Sequence, residues 1–210
     1  MIQTLALVRW ESPDTYYILG TAFLGAYFMG AIPFGLIFAW MAGAGDVRKL
    51  GSGNIGATNV LRTGNKIAAA ATLFFDGAKG LAAVLIAQDY FALPPFVAMA
   101  ALGGFIGHLF PIWLGFRGGK GVATFIGIAF GLDWQIALVT ALSWIVVARA
   151  TRISSVAALV AAALTPVYFA IFGETLWSAL TAILAVMIVF THRGNIARLL
   201  KGNEPGIGAR

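Results

Sequence analysis

Three polar segments of this chain combine glycine with residues that bind anions. They span residues 51–64, 108–124 and 192–204, and each holds amide, hydroxyl or basic side chains among its glycines. Glycine-rich loops that open a helix expose consecutive backbone N–H groups, which bind anionic oxygens. The first segment adds neutral donors of the kind that bind phosphate: Ser52, Asn54, Thr58 and Asn59. These residue types predict a phosphate-binding site.

The second segment surrounds a lysine with glycines. Gly118, Gly119 and Gly121 allow the backbone to pass close to a ligand beside Lys120, a compact cation suited to phosphate. The pattern differs from a Walker A loop, because position 114 is Leu and Lys120 is followed by Gly. A nucleotide hydrolase is therefore not expected.

The two histidines of the chain, His108 and His192, each begin one of these polar segments. A lone histidine at the end of a span is commonly an interfacial hydrogen-bonding group, but the neighbouring Gly, Asn and basic residues favour a functional role. The spacing of the histidines and carboxylates matches no known metal site, so no metal or other cofactor is expected.

Asp76 and Lys79 lie three residues apart inside an apolar stretch. At that spacing they share one face of a helix and can form an ion pair. Unpaired charges are costly in hydrocarbon, so both side chains should face the protein interior. We predict a structural ion pair beneath the polar segments rather than a direct catalytic role.

The elements that must position these segments are apolar. Hydrophobic residues make up 60% of the 210 positions and charged residues 10%, and the mean hydropathy is +0.89. A soluble globule of this size could not cover so much apolar surface. The net charge of +6 fits basic loops facing an anionic inner leaflet, so no nucleic-acid partner is expected.

Seven apolar segments are predicted to cross the membrane, each as a helix of about 17–25 residues where the length allows. Their approximate bounds are 16–42, 67–87, 96–113, 122–132, 134–147, 154–172 and 176–190. The fourth and fifth are short and separated only by Asp133. We interpret them as a tight helical hairpin, because together they would be too long for one crossing.

Charge placement supports this count and gives an orientation. Twelve of the 14 basic residues fall at alternate connections or in the C-terminal tail, the exceptions being Arg9 and Lys79. By the positive-inside rule, the N-terminus should lie outside and the C-terminus in the cytoplasm. The chain is thus predicted to be an all-α polytopic membrane protein with seven transmembrane helices. No internal repeat or linker occurs, so residues 1–210 should form a single integral membrane domain.

Two glycine pairs at four-residue spacing should allow close helix packing: Gly103 with Gly107 and Gly127 with Gly131.

The three polar segments resemble the motifs of the PlsY family, the bacterial membrane glycerol-3-phosphate acyltransferases that use acyl phosphate. The resemblance extends from about residue 30 to residue 204. It rests on Ser52 to Asn54, Gly56 to Asn59 and Arg62; on Gly107, His108, Pro111 and Gly118 to Thr124; and on His192, Asn195, Ile196, Arg198 to Leu200, Gly202 and Glu204. Three long motifs in the same order form a specific match.

This resemblance implies seven helices with the motif loops on the cytoplasmic side of the bacterial inner membrane. It implies transfer of an acyl group from acyl phosphate to the 1-hydroxyl of sn-glycerol 3-phosphate, giving lysophosphatidic acid and phosphate. Besides these two substrates and the lipid bilayer, no partner is expected, and the protein should be a monomer.

Site roles follow from the resemblance as a hypothesis. Five residues are predicted to be catalytic by binding and orienting glycerol phosphate: Ser52, Arg62, Lys120, His192 and Asn195. Further substrate contacts are predicted at Gly53, Asn54, Thr58, Asn59, His108, Gly118, Gly119, Gly121, Thr124, Ser154, Arg198 and Glu204. Among these, the backbone of 118–121, Thr124 and Ser154 should hold the acyl-phosphate oxygens, together with Lys120.

Direct attack by the glycerol hydroxyl, without an acyl-enzyme intermediate, is favoured because acyl phosphate is already activated. The His-x4-Asp motif of acyl-CoA-dependent acyltransferases is absent after both histidines. The proton could pass to His192 or to a substrate phosphate oxygen, and the resemblance favours the latter. The main alternative function is an organophosphate or anion transporter, which would usually place its site near the midplane between repeated halves.

Overall fold

The computed structural model describes residues 12–172 and 175–208, and all regular secondary structure within these ranges is helical. The described α-helices are α1 (Pro13–Gly30), α2 (Phe34–Met41), α3 (Ala57–Leu61), α4 (Lys66–Phe91), α5 (Pro94–Leu109), α6 (Val122–Leu132), α7 (Trp134–Thr151), α8 (Ser154–Ile171), α9 (Thr175–Thr191) and α10 (Arg193–Leu200). Short 3-10 turns occupy Val47–Lys49 and Ile112–Leu114.

Local sequence explains where the long helices begin and end. Asn65 Oδ1 accepts a hydrogen bond from the backbone N–H of Ala68, which caps the start of α4. The helix ends at Ala92, whose backbone is left-handed, and the Pro-Pro pair that begins at Pro94 opens α5. Asp133 caps α7 in the same way as Asn65 caps α4.

The apolar segment predicted at 16–42 is interrupted between α1 and α2. Pro33 lacks a backbone N–H, so the helical hydrogen-bond ladder cannot continue through it. At the break, the carbonyl of Ile32 accepts hydrogen bonds from the backbone N–H of Phe34 at 3.1 Å and from Lys79 Nζ at 2.9 Å. An interruption in the first span therefore supplies a partner for a charge buried in another helix.

Five helical segments of the described chain are long and apolar enough to cross a membrane, and a bent pair would make six. The five are Pro13–Met41, Lys66–Phe91, Pro94–Leu114, Trp134–Thr151 and Ser154–Ile171, and the pair is α9 with α10, bent by 60°. With 11 residues, α6 is shorter than a typical span. The predicted all-helical membrane fold is confirmed, while seven spans and their orientation stay predictions.

The segments predicted at 122–132 and 134–147 form separate helices. Asp133 is extended, with φ −156° and ψ 112°, and it ends α6 while capping α7. The two helices pack against each other, and α6 also packs along α4. The predicted division at Asp133 is confirmed.

Both glycine pairs lie at close helix contacts. A Cβ atom at Gly103 or Gly107 would overlap backbone atoms of α1, and one at Gly127 would overlap the backbone of Gly77 in α4. A Cβ atom at Gly131 would meet the side chain of Val84. The absence of side chains at these positions lets α5 approach α1 and α6 approach α4, as the spacing predicts.

The bundle has an apolar core and an apolar outer surface. Phe105, Phe125, Ile128, Leu184 and Ile188 are fully buried where α5, α6 and α9 meet. Large apolar side chains are also exposed along the outer faces of the long helices, as expected for contact with lipid. Buried hydroxyls pair between helices, including Thr140 with Thr165 at 3.0 Å.

Candidate active site

The first polar segment is organised by one buried side chain, Asn59. Its Nδ2 group donates hydrogen bonds to the carbonyls of Val47, Leu50 and Asn54 at 2.7–3.1 Å. Its Oδ1 atom accepts from the backbone N–H of Ser52 at 3.1 Å. The Asn59 amide therefore holds the loop together, and it leaves Ser52 and Asn54 at the rim of a cavity.

The second polar segment folds back onto the end of α5. The backbone N–H groups of Gly118 and Gly119 donate to the carbonyls of Leu109 and His108, each at 3.0 Å. A Cβ atom at Gly119 would overlap the imidazole of His108, so only glycine allows the loop to lie against that ring. Gly121, with φ +88°, then turns the chain into α6.

Beneath this loop lies a buried charged cluster. Lys79 Nζ is 2.7 Å from Asp76 Oδ1, and His108 Nδ1 lies 3.5 Å from the same oxygen. All three side chains are at least 95% buried. Thr124 Oγ donates to the Asp76 carbonyl at 2.9 Å, which joins α6 to α4 at the same level. The sequence-predicted ion pair of Asp76 and Lys79 thus forms, with His108 as a third member.

The third polar segment converges on Glu204. Its Oε1 atom accepts hydrogen bonds from Ser155 Oγ at 2.7 Å and from Asn195 Nδ2, and its Oε2 atom accepts from Arg198 Nε at 2.7 Å. Burial alone would raise the pKa of Glu204, but the hydrogen bonds from Asn195, Ser155 and Arg198 outweigh it and lower the pKa. Glu204 is therefore an anionic anchor for polar residues of α8 and α10.

Lys120 joins the second segment to the third. Its Nζ atom donates to Asn195 Oδ1, and its backbone carbonyl accepts from Thr191 Oγ at 3.1 Å. Burial lowers the pKa of Lys120 to about 8; the anionic Glu204 opposes this shift, while Arg198 and Arg62 reinforce it. Lys120 is consequently still mostly charged near neutral pH.

His192 has a defined tautomer. Its Nδ1 atom lies 2.8 Å from the carbonyl oxygen of Ile188, which can only accept, so Nδ1 carries the proton. Burial and the charge of Lys120 lower the pKa of His192 to about 4, although the Ile188 carbonyl opposes the shift. The imidazole is therefore neutral at pH 7, and its Nε2 atom is an acceptor to which no described residue donates.

These side chains surround a cavity of about 180 Å³, called the inner cavity below. Its polar lining comes from all three segments and from α4 and α8: Ser52, Asn54, Thr58, Asn59, Arg62, Asp76, His108, Lys120, Ser154, Ser155, His192, Asn195, Arg198 and Glu204. Its apolar lining comes from α4, α6, α7 and α8: Leu73, Val122, Ala123, Ile126, Trp144 and Ala158. Leu73 is 57% exposed, so the apolar side reaches the outer surface of the bundle.

A second, wider cavity of about 570 Å³, the outer cavity, adjoins the first. The two cavities share five lining residues: Ser52, Asn54, Lys120, Asn195 and Arg198. Further residues of the outer cavity are Arg48, Gly53, Arg117, Gly118, Thr191, Arg193 and Gly194. A small, partly apolar chamber and a large cationic one thus meet at a common polar wall.

Most of the sequence-predicted site residues come together here, but three do not line either cavity. Gly119 packs on the His108 ring, Thr124 is fully buried behind the loop, and Lys79 lies beneath it. Gly53 and Gly118 line only the outer cavity. Thr124 and Gly119 therefore support the loop and the helices beneath it, and neither residue borders the space that a ligand could occupy.

Sequence reasoning missed several lining residues. Ser155 follows the predicted Ser154 and donates to Glu204, but no spacing rule links positions 155 and 204. The apolar residues Leu73, Ile126 and Trp144 carry no signal that separates them from lipid-facing neighbours. Only the assembled helices identify them.

The chain is similar to proteins of one known enzyme family. The sequence profile of the family described as glycerol-3-phosphate acyltransferase matches residues 20–202. A glycerol-3-phosphate acyltransferase of Brucella anthropi is 54% identical over 193 residues, covering 92% of this chain and 94% of the relative.

Two crystal structures of PlsY, an integral membrane glycerol 3-phosphate acyltransferase, have a similar fold. The glycerol 3-phosphate form is 33% identical with a TM-score of 0.85, covering 90% of this chain and 96% of the other. The lysophosphatidic acid form is 32% identical with a TM-score of 0.84, covering 91% and 96%.

Proposed function

Because this chain belongs to the glycerol-3-phosphate acyltransferase family, we propose that it transfers an acyl group from acyl phosphate to the 1-hydroxyl of sn-glycerol 3-phosphate. The hydroxyl oxygen forms an ester bond with the acyl carbonyl carbon, and the bond from that carbon to the phosphate oxygen breaks. The hydroxyl proton leaves with the inorganic phosphate. The other product is lysophosphatidic acid, so the reaction is the first acylation step of phospholipid synthesis.

The main support for this proposal is that the two cavities share a common polar wall. An acyl donor needs an apolar surface for its chain, and a glycerol phosphate needs positive charge and access to water. The inner cavity provides the apolar side chains together with Arg62, five basic residues of the described ranges line the outer cavity, and Lys120 and Asn195 line both. The reacting groups of both substrates can therefore meet at these two residues.

We assign the glycerol 3-phosphate to five side chains. Arg62 and Lys120 supply positive charge for its phosphate, and the Ser52 hydroxyl can donate to a phosphate oxygen. Asn195, on the common wall, and His192, which lines only the inner cavity, can hold the glycerol hydroxyls. Such positioning turns a bimolecular reaction into an effectively unimolecular one, which contributes a large share of enzymatic acceleration.

We assign the acyl phosphate to the region between the second segment and α8. Lys120 and the Ser154 hydroxyl can contact its phosphate oxygens. The acyl chain would lie along Leu73, Ile126 and Trp144, which form the apolar part of the inner cavity. Donors near the carbonyl would stabilise the negative charge that builds up on it in the transition state.

Two groups are candidates for accepting the hydroxyl proton. The Nε2 atom of His192 is an available acceptor, because Nδ1 donates to Ile188. Its low pKa, about 4, makes it a weak base at neutral pH. The donor phosphate gains negative charge as its bond to the acyl carbon breaks and then leaves as inorganic phosphate, so we favour proton transfer to one of its oxygens.

Transfer should be direct, without an acyl-enzyme intermediate. The described residues contain no hydrogen bond between a cavity serine and either histidine: Ser155 donates to Glu204, and the Ser52 hydroxyl lies 3.4 Å from Asn59 Oδ1. A serine nucleophile normally needs an adjacent general base. The donor is already a mixed anhydride, so such activation is not required.

The site should face the cytoplasm from the bacterial inner membrane. This proposal rests on the positive-inside rule, because most of the basic residues lie in the connections that carry the three polar segments. We also propose a monomer, because the polar residues assigned above to the two substrates come from three polar segments and α8 of the same chain.

The deciding experiment is an assay of purified protein with palmitoyl phosphate and glycerol 3-phosphate. We expect phosphate and lysophosphatidic acid in equal amounts, each dependent on both substrates. Parallel reactions with palmitoyl-CoA and palmitoyl-acyl carrier protein should give no product. Glycerol 3-phosphate flux into liposomes without any turnover would instead identify a transporter and overturn the proposal.

A further inference from the structure

The outer cavity carries more positive charge than the proposed reaction requires. Five basic residues of the described chain line it: Arg48, Arg117, Lys120, Arg193 and Arg198. No Asp or Glu of the described chain lines it. Lys120 and Arg198 also line the inner cavity, where they are neutralised in part by Glu204. The other three arginines lie only in the outer cavity, and no role in the transfer reaction is assigned to them above.

In two of these three arginines, Arg117 and Arg193, no acidic side chain of the described residues neutralises the positive charge. Arg48 forms an ion pair with Asp46 at 2.7 Å, so its charge is largely neutralised by that carboxylate. Arg193 stacks on the ring of Phe190, with 4.7 Å between the guanidinium carbon and the ring centroid, and it donates to the Phe190 carbonyl at 3.3 Å. No Asp or Glu of residues 12–172 and 175–208 pairs with it. The backbone N–H of Arg117 donates to the carbonyl of Leu114, but its guanidinium has no hydrogen-bonding or ionic partner within the described part of the chain.

We propose that Arg117 and Arg193 form an outer binding site for soluble phosphate-bearing anions, through which glycerol 3-phosphate reaches Lys120 and inorganic phosphate leaves. This inference rests on the proposed function, because it assumes that the soluble substrate arrives through the outer cavity. Charges of one sign that line a cavity raise the local concentration of the oppositely charged ligand and its association rate.

The two arginines come from different polar segments but flank the same shared residues. Arg117 directly precedes Gly118 to Gly121, and Arg193 lies two residues before Asn195. A dianion held between them would be next to Lys120 and Asn195, which separate the outer cavity from the inner one. The same phosphate chemistry is present in anionic lipid headgroups, so a test must distinguish a soluble ligand from a lipid.

The test compares Arg117→Gln, Arg193→Gln and the double variant with Arg149→Gln. Arg149 is an exposed arginine at the end of α7 that lines neither cavity, and it is the matched control. Initial rates are measured against glycerol 3-phosphate concentration, at low and at high salt, in detergent and in nanodiscs with or without anionic lipid.

We expect each single variant to raise the KM for glycerol 3-phosphate about two- to five-fold at low salt, with kcat changed less than two-fold. The double variant should lose most of the salt dependence of kcat/KM, because screening acts on the charges that were removed. The control should match the wild-type protein. The KM for acyl phosphate should stay unchanged in every variant.

Unchanged KM for glycerol 3-phosphate in the double variant would overturn the inference. An effect that appears only in nanodiscs with anionic lipid would also overturn it, and would assign the two arginines to lipid headgroups. A separate binding measurement with glycerol 3-phosphate and inorganic phosphate, without donor, keeps the two proposals apart. A wild-type protein that binds these anions more tightly than the double variant, and yet does not use acyl phosphate, would contradict the proposed donor and support the outer binding site.

Discussion

The side chains of Lys120 and Asn195, which are 75 positions apart in the chain, are joined by a direct hydrogen bond. Asn195 in turn donates to Glu204, so the lysine, the amide and the carboxylate form one connected row. The contact brings the glycine-rich loop before α6 and the start of α10 together.

Replacing Lys120 with alanine should reduce kcat/KM by about 10²–10³-fold, because it removes a cation aimed at the reacting phosphates. Membrane insertion and the melting temperature should change little, since the side chain lies at a cavity rather than in the helix core. The assay with palmitoyl phosphate measures the loss, and Arg149→Ala is the matched control. Near-normal turnover in Lys120→Ala would remove Lys120 from the mechanism.

The pH profile should show the ionisation of Lys120. Its pKa is about 8, and only the protonated form attracts phosphate, so kcat/KM should be high below pH 8 and fall as the pH rises through that value. Bound phosphate raises the pKa of a nearby lysine, so the corresponding fall in kcat should occur at higher pH. In an active Lys120→Arg variant, both alkaline limbs should disappear. An alkaline limb that stays in this variant would assign the titration to another group.

Glu204→Ala should impair binding of glycerol 3-phosphate, because this carboxylate holds polar residues of α8 and α10 in place. The change leaves Asn195, Ser155 and Arg198 without their shared acceptor, so we expect a rise of about ten-fold or more in KM. Glu204→Gln should be milder, because it keeps one acceptor oxygen. Asp89→Asn, an exposed change at the end of α4, is the control. Equal effects of the Ala and Gln changes would argue against the anchoring role.

Substitutions in the buried cluster of Asp76, Lys79 and His108 should affect folding stability and transfer activity differently. Lys79→Met leaves Asp76 without its ion-pair partner and should cost about 3–5 kcal/mol of folding free energy. The double variant Asp76→Leu with Lys79→Met should recover much of the melting temperature, because no uncompensated charge remains. Its transfer activity should stay low, since His108 loses the carboxylate beside Nδ1. Recovery of both properties together would show that the cluster only supports the fold.

Gly119→Ala should disturb the loop without a large loss of stability. The added Cβ would overlap the His108 imidazole, so the loop and Lys120 must shift. We expect kcat/KM to fall at least ten-fold, because small displacements of positioning groups are costly. Gly20→Ala in α1 is the matched control, since nothing lies within 4 Å of the added atom. Full activity of Gly119→Ala would mean that the loop has room to adapt.

Much of the fold could be predicted from the sequence, because helix length, helix caps and small-residue spacing are local properties. Asp133 divides two helices as its position suggests, and Gly103 and Gly107 lie where α5 meets α1. The break at Pro33 was not predicted, although a proline inside an apolar stretch is a signal for it.

The sequence motifs predict which residues belong to the site, but they do not predict how those residues are arranged in space. His108 and Asp76 are 32 positions apart in the sequence numbering, and only the packing of α4 against α5 brings them to 3.5 Å. Asn59 has the side chain of a ligand-binding residue, yet four hydrogen bonds within its own loop occupy it. Residue type alone does not separate these two uses of an asparagine.

The partition of the two cavities has a kinetic consequence. The inner cavity reaches the lipid-facing surface beside Leu73, whereas the outer cavity is lined by arginines, so neither reactant has to pass the other on its way in. We therefore expect a ternary complex that assembles in random order, with intersecting lines in double-reciprocal plots of initial velocity. Each product can likewise depart by its own route, one into the bilayer and one into water.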